Sequence, residues 1–408
     1  MKKQLTITRK SKEVSIPASI HTTLQDTLQT INLSNTLNVA LDVNLDVNLD
    51  VNLNTSLDTS LDTSLDTKLY TKLILTNSIL LIDASYWVYY RFFALRNWYK
   101  RTFPDNDTDN SIYNWLEDTI FMQKYEKLFL DGISNICNEW HIPTCNVVFC
   151  IDCPYRSIWR YELNNNYKGT RLDSHKRNGF NSFAIFDIVK KNIIPKLIKK
   201  YNMNSILVDK CEADDIVGTL SVYLSSKLYS GEGDEGNEGN EGGEGDDDAS
   251  NNIKSKLNIC ILASDNDYIQ VCCDNIILID GVGKQLCANK KTDGEQYLVK
   301  KILSGDISDN ISACMVRSNY LQKYCNYKSS DEFKKCTPSI ILKMVTNTES
   351  WQLIYSLLCQ LRNGDNCNDT VLTIFKDLQF IENVRLIDFK MIPNELKDNM
   401  MHIFQQLV

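Results

Sequence analysis

The 408-residue chain has no apolar run close to the roughly 20 residues that a membrane-spanning helix needs. Its basic first residues, MKKQLTITRKSK, are not followed by the apolar stretch of a secretory signal. Histidine is scarce, and its four residues (His21, His141, His175 and His402) lie outside the acidic motifs described below. We therefore expect neither a membrane protein nor a secreted protein, and no histidine general base.

Disulfide and zinc patterns are also missing. The fourteen cysteines are irregularly spaced, which in a long chain favours free thiols in a reducing compartment. Cys150 and Cys153 form a CxxC pair, but no second pair follows at zinc-ribbon spacing. The prediction is an intracellular protein, cytoplasmic or nuclear.

The net charge of −8 is unevenly distributed. Residues 231–248 hold nine acids and no base, so the rest of the chain is not acidic. A body with this balance permits a polyanionic partner. The 43% of hydrophobic residues is enough for a buried core, and the length allows two or three domains.

Residues 1–77 read as a low-complexity leader. Leucine recurs at every fourth position from Leu33 to Leu73, mostly in LDVN and LDTS units. The strict apolar/polar alternation is compatible with a long strand or a small solenoid. The lack of turn signals favours a disordered leader instead, with a folded unit beginning near Asn77.

Short apolar runs then alternate with longer helical patterns, which indicates an α/β fold with a central, mostly parallel sheet flanked by helices. The runs are rich in Ile, Val and Leu, as buried parallel strands are. Ligands of such sheets bind outside the carboxyl ends of the strands. Each run ends in an aspartate: Asp83, Asp152, Asp209, Asp265 and Asp280.

The remaining segments divide the chain further. A helix is predicted over 213–229, followed by a Gly/acid insertion at 230–252 that is too polar to fold alone. We interpret the insertion as a solvated loop, although a partner-binding or DNA-mimicking role is the alternative. From 311 to 408 the pattern is helical with interleaved Lys and aromatic residues, which predicts a C-terminal helical lobe after an α/β domain at 78–310.

The stretch CEADD places Glu212, Asp214 and Asp215 within four positions. Two carboxylates about 4 Å apart repel by roughly 4 kcal/mol at an effective dielectric near 20. On a regular helix Asp214 would point away from Glu212. The three acids therefore converge only if the segment begins in the turn before the helix, where the helix dipole favours anions.

Two further acid pairs follow. Asp265 and Asp267 share a face in extended backbone, and Asp306 and Asp309 flank a glycine-led turn. A single strand-end aspartate is usually a cap or a turn former. Several together predict an all-oxygen site for Mg²⁺. Two such ions clamp the attacking and leaving oxygens of an in-line phosphoryl displacement.

A basic and aromatic segment, PYRSIWRYELNNNYKGTR, follows Asp152. It contains Arg156, Arg160, Lys168 and Arg171 among tyrosines and a tryptophan. Such a mixture beside a metal site suits a nucleic-acid strand, because the cations pair with phosphates and the rings stack on bases. A basic surface helix is the alternative.

Several blocks resemble the 5′ nucleases, the family of flap endonucleases and of the 5′→3′ exonuclease domain of bacterial DNA polymerase I. They occur in the family's order across roughly 78–311. The next stretch, NISACMVRSNY, lacks the glycine pattern of the helix-hairpin-helix found in many relatives, so its ligands stay open. The blocks are LLIDASYWVYYRFFAL, VVFCIDCPYRSIWRYELNNNYKGTR, CEADDIVGTL, ILASDNDYIQ and KILSGDISDNI.

The resemblance implies roles for individual residues. It assigns Lys168 and Arg171 to catalysis, as basic residues of a helical arch at about 153–200. It leaves Asp209 and Asp280 as structural acids. The implied first metal cluster is Asp83, Asp152, Glu212 and Asp214, and the second cluster or its outer shell is Asp215, Asp265, Asp267, Asp306 and Asp309. The implied DNA contacts are Arg156, Arg160, Tyr167, Lys168, Arg171 and Arg317.

The resemblance implies a 5′→3′ exonuclease or flap endonuclease of replication or repair. It would use two Mg²⁺ ions, with Mn²⁺ as a substitute. Its substrates would be DNA with a 5′ flap, a nick or a gap, together with RNA–DNA hybrids. The implied protein partners are a sliding clamp or a single-strand-binding protein, and the implied state is a monomer. The alternatives are an RNA nuclease of the PIN type and a catalytically inactive, structure-specific DNA-binding protein.

Overall fold

The computed structural model describes residues 78–104, 113–169, 182–229, 257–286 and 293–407. The predicted leader and the predicted acidic insertion lie outside these residues, as does the part of the predicted arch that contains Arg171. Within the described residues, no helix combines the length and the apolar character needed to cross a membrane.

The centre of the fold is a five-stranded sheet in which all strands run parallel. The strand order is β3-β2-β1-β4-β5, which confirms the predicted α/β architecture. Each of the five predicted apolar runs contains one strand. The strands are β1 (Ser78–Asp83), β2 (Val147–Ile151), β3 (Asn204–Leu207), β4 (Asn258–Leu262) and β5 (Ile276–Ile279).

Helices cover the sheet and form most of the remainder. The described α-helices are α1 (Ala84–Thr102), α2 (Thr119–Glu139), α3 (Arg160–Leu163), α4 (Ser182–Ile188), α5 (Ile194–Tyr201), α6 (Ala213–Tyr229), α7 (Gly294–Ser304), α8 (Ser318–Cys325), α9 (Pro338–Thr346), α10 (Thr348–Arg362), α11 (Asn368–Ile374), α12 (Gln379–Ile387) and α13 (Asn394–Leu407). A π-helical segment, Val189–Ile193, joins α4 to α5.

Both faces of the sheet are buried. Leu80 and Ile82 of β1 pack into a core with α1 and α2. Ile79 and Leu81 point to the other face, into a core with α6. Successive side chains of a strand alternate between faces, so a strand that is buried on both sides needs the continuous apolar run seen in the sequence.

The C-terminal helices share that second core. Phe389, Met400 and Phe404 belong to the same buried cluster as Leu220 of α6. The region after Asn310 is mostly helical, with one addition that the sequence pattern did not predict. This addition is an antiparallel pair formed by β6 (Met315–Arg317) and β7 (Phe333–Lys335). The boundaries proposed for the catalytic domain and the C-terminal lobe remain predictions.

Candidate metal centre

Two central strands place carboxylates at the carboxyl edge of the sheet. Asp83 is the last residue of β1, and it accepts hydrogen bonds from the backbone N–H of Tyr86 and from the hydroxyl of Tyr268, both at 3.0 Å. Asp152 directly follows β2 and accepts one from the N–H of Ala213 at 2.8 Å. The hydroxyl of Ser85 donates to the other oxygen of Asp152. Both strand-end acids are thus fixed in orientation.

Asp83 and Asp152 line a cavity of about 740 Å³. It joins acids from five parts of the chain to two lysines and to aromatic side chains. Its charged lining includes Asp83, Asp152, Glu212, Asp214, Asp265, Lys168, Asp187 and Lys190, and its aromatic lining is Tyr89, Tyr155, Phe183 and Phe186.

The acids of CEADD converge because α6 begins only at Ala213. Glu212 lies in the turn before the helix, and its carboxylate comes within 4.8 Å of those of Asp214 and Asp215. The carboxylate of Asp215 folds back and accepts a hydrogen bond from the N–H of Glu212 at 3.0 Å. This is the arrangement that the sequence required for the three acids to meet.

The electrostatics show that negative charge is in excess here. Burial, followed by the charge of Asp152, raises the pKa of Asp83 to about 7. Burial, followed by the charges of Glu212 and Asp215, raises the pKa of Asp214 well above its usual value. Several carboxylate oxygens around one cavity, held against their mutual repulsion, form the donor set that hard divalent cations prefer. The residues therefore fit a divalent metal ion.

Arg160 is the buried counterion of this cluster, which corrects the prediction that it contacts DNA. Its Nη2 lies 2.7 Å from Asp215 and its Nη1 lies 3.3 Å from Glu212. Its Nε donates to the backbone carbonyl of Leu386 at 2.8 Å. Only 2% of Arg160 is exposed, so a DNA strand has no access to it.

Asp215 occupies a position that fits the outer shell, one of the two roles predicted for it, whereas Tyr167 differs from its predicted role as a DNA contact. Asp215 is fully buried, and it accepts a hydrogen bond from Trp159 Nε1 at 3.0 Å in addition to the Arg160 pair. It therefore positions the cluster rather than facing the cavity. The Tyr167 hydroxyl donates to Glu212 at 3.0 Å, and the ring is buried. Direct stacking of a base on Tyr167 is inconsistent with this burial.

Lys168 lies in the wall of the cavity. Its ammonium pairs with Glu212, and its backbone N–H donates to the carbonyl of Asp309 at 2.9 Å. Its φ of +54° is in the left-handed region, which residues other than glycine rarely adopt. The loop is therefore held in a specific conformation that directs this lysine to the acids. Arg171, predicted with it, lies outside the described residues.

The remaining acids form a second group beside the first. Asp267 and Asp306 both pair with Lys301, with 2.9 Å between Lys301 Nζ and Asp306 Oδ2. Asp309 accepts a hydrogen bond from Tyr167 at 3.2 Å. A cavity of about 10 Å³, room for about one water molecule, is lined by Asp214, Asp267, Asp306 and Asp309, among others. Asp214 thus faces both cavities.

The turn that carries Asp306 depends on a glycine. Gly305 has a φ of +66°, and a Cβ at this position would lie 2.5 Å from the carbonyl oxygen of Ile311. The carboxylate of Asp306 accepts a hydrogen bond from the N–H of Ser308 at 2.8 Å. Although burial opposes ionisation, the Ser308 hydroxyl and Lys301 lower the pKa of Asp306 to about 2.

The other predicted residues lie apart from the acids. Arg156 is exposed on the loop after β2. Arg317 donates to the carbonyl of Leu372 at 2.8 Å, stacks over Phe333 and lines a separate open cavity of about 410 Å³. The carboxylate of Asp280 accepts two backbone N–H groups of its own turn, in agreement with a structural role.

Sequence reasoning missed the residues that support the acids. Ser85 and Tyr268 lie within quoted motifs, DASYW and DNDYI, but hydroxyl groups gave no pattern of their own. Lys301 opens the block KILSGD, where a lysine in a helix reads as a surface residue. Its position between two acids depends on the packing of α7 against the 3-10 helix Asn266–Gln270 that follows β4, which sequence spacing does not encode.

Comparison with known proteins finds a curated relative among phage proteins. No protein-family model matches the chain. The curated ribonuclease H of Enterobacteria phage T4 is 24% identical over 291 residues, which are 71% of this chain and 79% of that protein.

Solved structures of phage T5 proteins are also similar. The T5 5′-exonuclease with zinc ions bound gives a TM-score of 0.43 at 12% identity and covers 81% of this chain and 99% of that one. A bacteriophage T5 flap endonuclease complex with DNA and metal ions gives 0.44 at 12% identity, over 81% and 98% of the two chains. In its acidic motifs, their order and its similarity to the phage T4 protein, the chain resembles the 5′ nuclease family.

Proposed function

We propose that the protein is a divalent-metal-dependent 5′→3′ exonuclease and flap endonuclease of DNA replication or repair. The observation that carries this proposal is the convergence of acids from distant chain segments at one edge of the sheet. The first cavity is bordered by Asp83, Asp152, Glu212, Asp214 and Asp265, and the second by Asp214, Asp267, Asp306 and Asp309.

The proposed substrate is DNA with a 5′ flap, a nick or a gap, or a strand that begins with an RNA primer. The first cavity supports this because it combines acids for metal ions, Lys168 for a phosphate and the rings of Tyr89 and Phe183 for an unstacked base. The relative from phage T4 is named ribonuclease H, which favours RNA–DNA hybrids as additional substrates. Arg156 and Arg317, both accessible to solvent, are proposed phosphate contacts.

The proposed cofactor is Mg²⁺ at two positions, with Mn²⁺ as a substitute. When bound, such ions stabilise the attacking and leaving oxygens of an in-line displacement. Asp83, Asp152 and Asp214 would hold them, and Arg160 keeps Glu212 and Asp215 in place beneath. Lys168, with Arg171, would neutralise charge on the phosphate as it is cleaved.

The proposed setting is intracellular, where DNA is replicated. The protein would act as a monomer, with a sliding clamp or a single-strand-binding protein as its partner. The free thiols of the described cysteines are consistent with a reducing compartment.

The test is cleavage of a labelled 5′-flap DNA by the full chain with Mg²⁺, and then with EDTA. We expect cleavage that EDTA abolishes and that the double variant Asp265→Asn/Asp267→Asn loses. Asp209→Asn is the matched control, because Asp209 is an exposed acid that follows β3 and lies outside both cavities. Cleavage that survives EDTA or the double substitution would exclude the proposal. Flap binding without cleavage in the unmodified protein would favour the inactive DNA-binding alternative.

A further inference from the structure

Lys301 lies between two carboxylates of the second acidic group. It is in the last turn of α7, and its ammonium pairs with Asp267, which follows β4, and with Asp306, which follows α7. The side chain of Lys301 is 15% exposed, and those of Asp267 and Asp306 are each 17% exposed. This is therefore a largely buried three-residue contact, unlike the many exposed ion pairs of protein surfaces.

The Asp306 carboxylate and the backbone of Asp267 are held in place independently of the lysine. Asp306 is fixed by the N–H and the hydroxyl of Ser308, at 2.8 and 2.6 Å. Asp267 lies in a short 3-10 helix, Asn266–Gln270, that is capped by Asp265. Lys301, in contrast, reaches them on a flexible four-carbon stem. Of the three groups, the ammonium is the one that can leave without unfolding a backbone turn.

The two acidic groups differ in where their positive charges lie. In the first group, Arg160 pairs with Glu212 and Asp215, and Lys168 pairs with Glu212. Asp83, Asp152 and Asp265, in contrast, have no lysine or arginine ion pair within the described residues. In the second group, one ammonium already offsets two carboxylates. A divalent cation held by Asp267 and Asp306 would therefore have to displace a positive charge or bind close to it, which costs Coulomb energy.

We propose that Lys301 is a built-in counterion that competes with the second metal ion for Asp267 and Asp306. This inference rests on the proposed two-ion nuclease function and assigns a regulator to one of its metal positions. The first ion binds tightly to the Asp83 side of the site. The second binds weakly until a phosphate of the nucleic acid adds negative charge, which attracts the displaced ammonium. Lys301 thereby links occupancy of the second position to the presence of substrate.

The experiment is a calorimetric titration of the full chain with Mn²⁺ in the absence of nucleic acid. The unmodified protein should show one tight and one weak site. Lys301→Met keeps much of the apolar stem and removes the charge, so the weak site should tighten by about tenfold or more. Lys301→Arg keeps the charge and should leave the site weak. Lys196→Met is the matched control, because it removes an exposed ion pair with Glu126 away from the acids and should change neither site.

Unchanged or weaker binding at the second site in Lys301→Met would overturn the inference. Lys301→Gln provides a second neutral variant that keeps a hydrogen-bond donor, in case Lys301→Met fails to fold by circular dichroism. The readout is metal binding alone, so its result is separate from the nuclease test. Two-site binding with the expected Lys301 effect but no cleavage would remove the proposed function and leave the counterion in place.

Discussion

Arg160 shows how a residue-scale pattern can be assigned to the wrong partner. In the sequence it alternates with aromatic residues, as a nucleic-acid contact does. In the structure its guanidinium is buried against Glu212 and Asp215. Because the guanidinium can form two hydrogen bonds in a fixed geometry, arginine is well suited to such a buried ion pair with carboxylates. The acids that arginine binds come from a segment about fifty residues away, so local sequence could not reveal the pairing.

The first prediction concerns this buried pair. Arg160→Met should lower the free energy of unfolding by about 3–5 kcal/mol, because it leaves two buried carboxylates without their counterion. The measurement is equilibrium unfolding in urea, followed by circular dichroism.

Arg156→Met serves as the control, since Arg156 is exposed on the loop that precedes α3. Its unfolding curve should match that of the unmodified protein. An Arg160→Met variant as stable as the unmodified chain would show that Glu212 and Asp215 do not depend on the arginine.

Strand-end aspartates were the part of the site that sequence could predict. Asp83 and Asp152 lie where the ends of the Ile/Val/Leu runs placed them, because the carboxyl ends of parallel strands meet at one edge. The protonation state of these acids could not be predicted in the same way. It depends on burial and on neighbouring charges that only the folded chain brings together.

At the scale of elements, strand content was predictable and strand order was not. Each of the five apolar runs forms a strand, but β1 lies in the middle of the sheet and pairs with both β2 and β4. The β6–β7 pair was missed because MVR and FKK are too short to show an alternating pattern. Their pairing depends on contacts across the intervening helix.

Gly218 makes a second prediction at the level of helix packing. It lies in α6, and a Cβ at this position would come within 2.6 Å of the buried ring of Phe389. Gly218→Ala should therefore destabilise the protein by about 1–3 kcal/mol through overpacking. This outweighs the gain of up to about 1 kcal/mol that alanine brings to a helix. Thermal unfolding of the variant provides the measurement.

A double-mutant cycle with Phe389→Leu tests the cause. The smaller side chain should relieve the overlap, so the double variant should be more stable than the sum of the two single effects predicts. Purely additive effects would show that the ring of Phe389 does not limit the space at Gly218.

At the scale of the whole molecule, the repulsion among the clustered acids should make the stability of the fold depend on pH. The pKa of Asp83 is raised from 3.8 to about 7, chiefly by burial, so the folded protein binds a proton more tightly than the unfolded chain does. The favourable contribution of Asp83 to the free energy of unfolding is complete below about pH 4 and is lost as the pH rises through about 7. A bound cation should offset the loss, because it stabilises the ionised acids.

The third prediction follows from this linkage. In EDTA, the melting temperature should fall as the pH increases from 5 to 8. The difference between melts in Mg²⁺ and in EDTA should widen over the same range. Asp83→Asn should narrow that difference at pH 8. A difference that stays constant with pH in the unmodified protein would contradict the proposed linkage between protons and metal ions.

The division of the molecule into parts was predicted only in outline. The α-rich character after Asn310 followed from helical periodicity. The sequence did not predict that α6 and the C-terminal helices share one core. An apolar stripe shows that a helix face is buried, but it does not show which element covers that face. The leader, the insertion at 230–252 and the segment with Arg171 lie outside the described residues, so these predictions rest on composition and on family resemblance.

The bond between Arg160 and the carbonyl of Leu386 spans most of the folded chain. The ribosome synthesises Arg160, Glu212 and Asp215 well before it reaches Leu386. Until Leu386 is made, Arg160 lacks the carbonyl group that binds its Nε, and the set of contacts that positions Glu212 and Asp215 is incomplete. A polypeptide that stops before Leu386 would therefore lack this anchor, and we expect it to hold Glu212 and Asp215 less firmly.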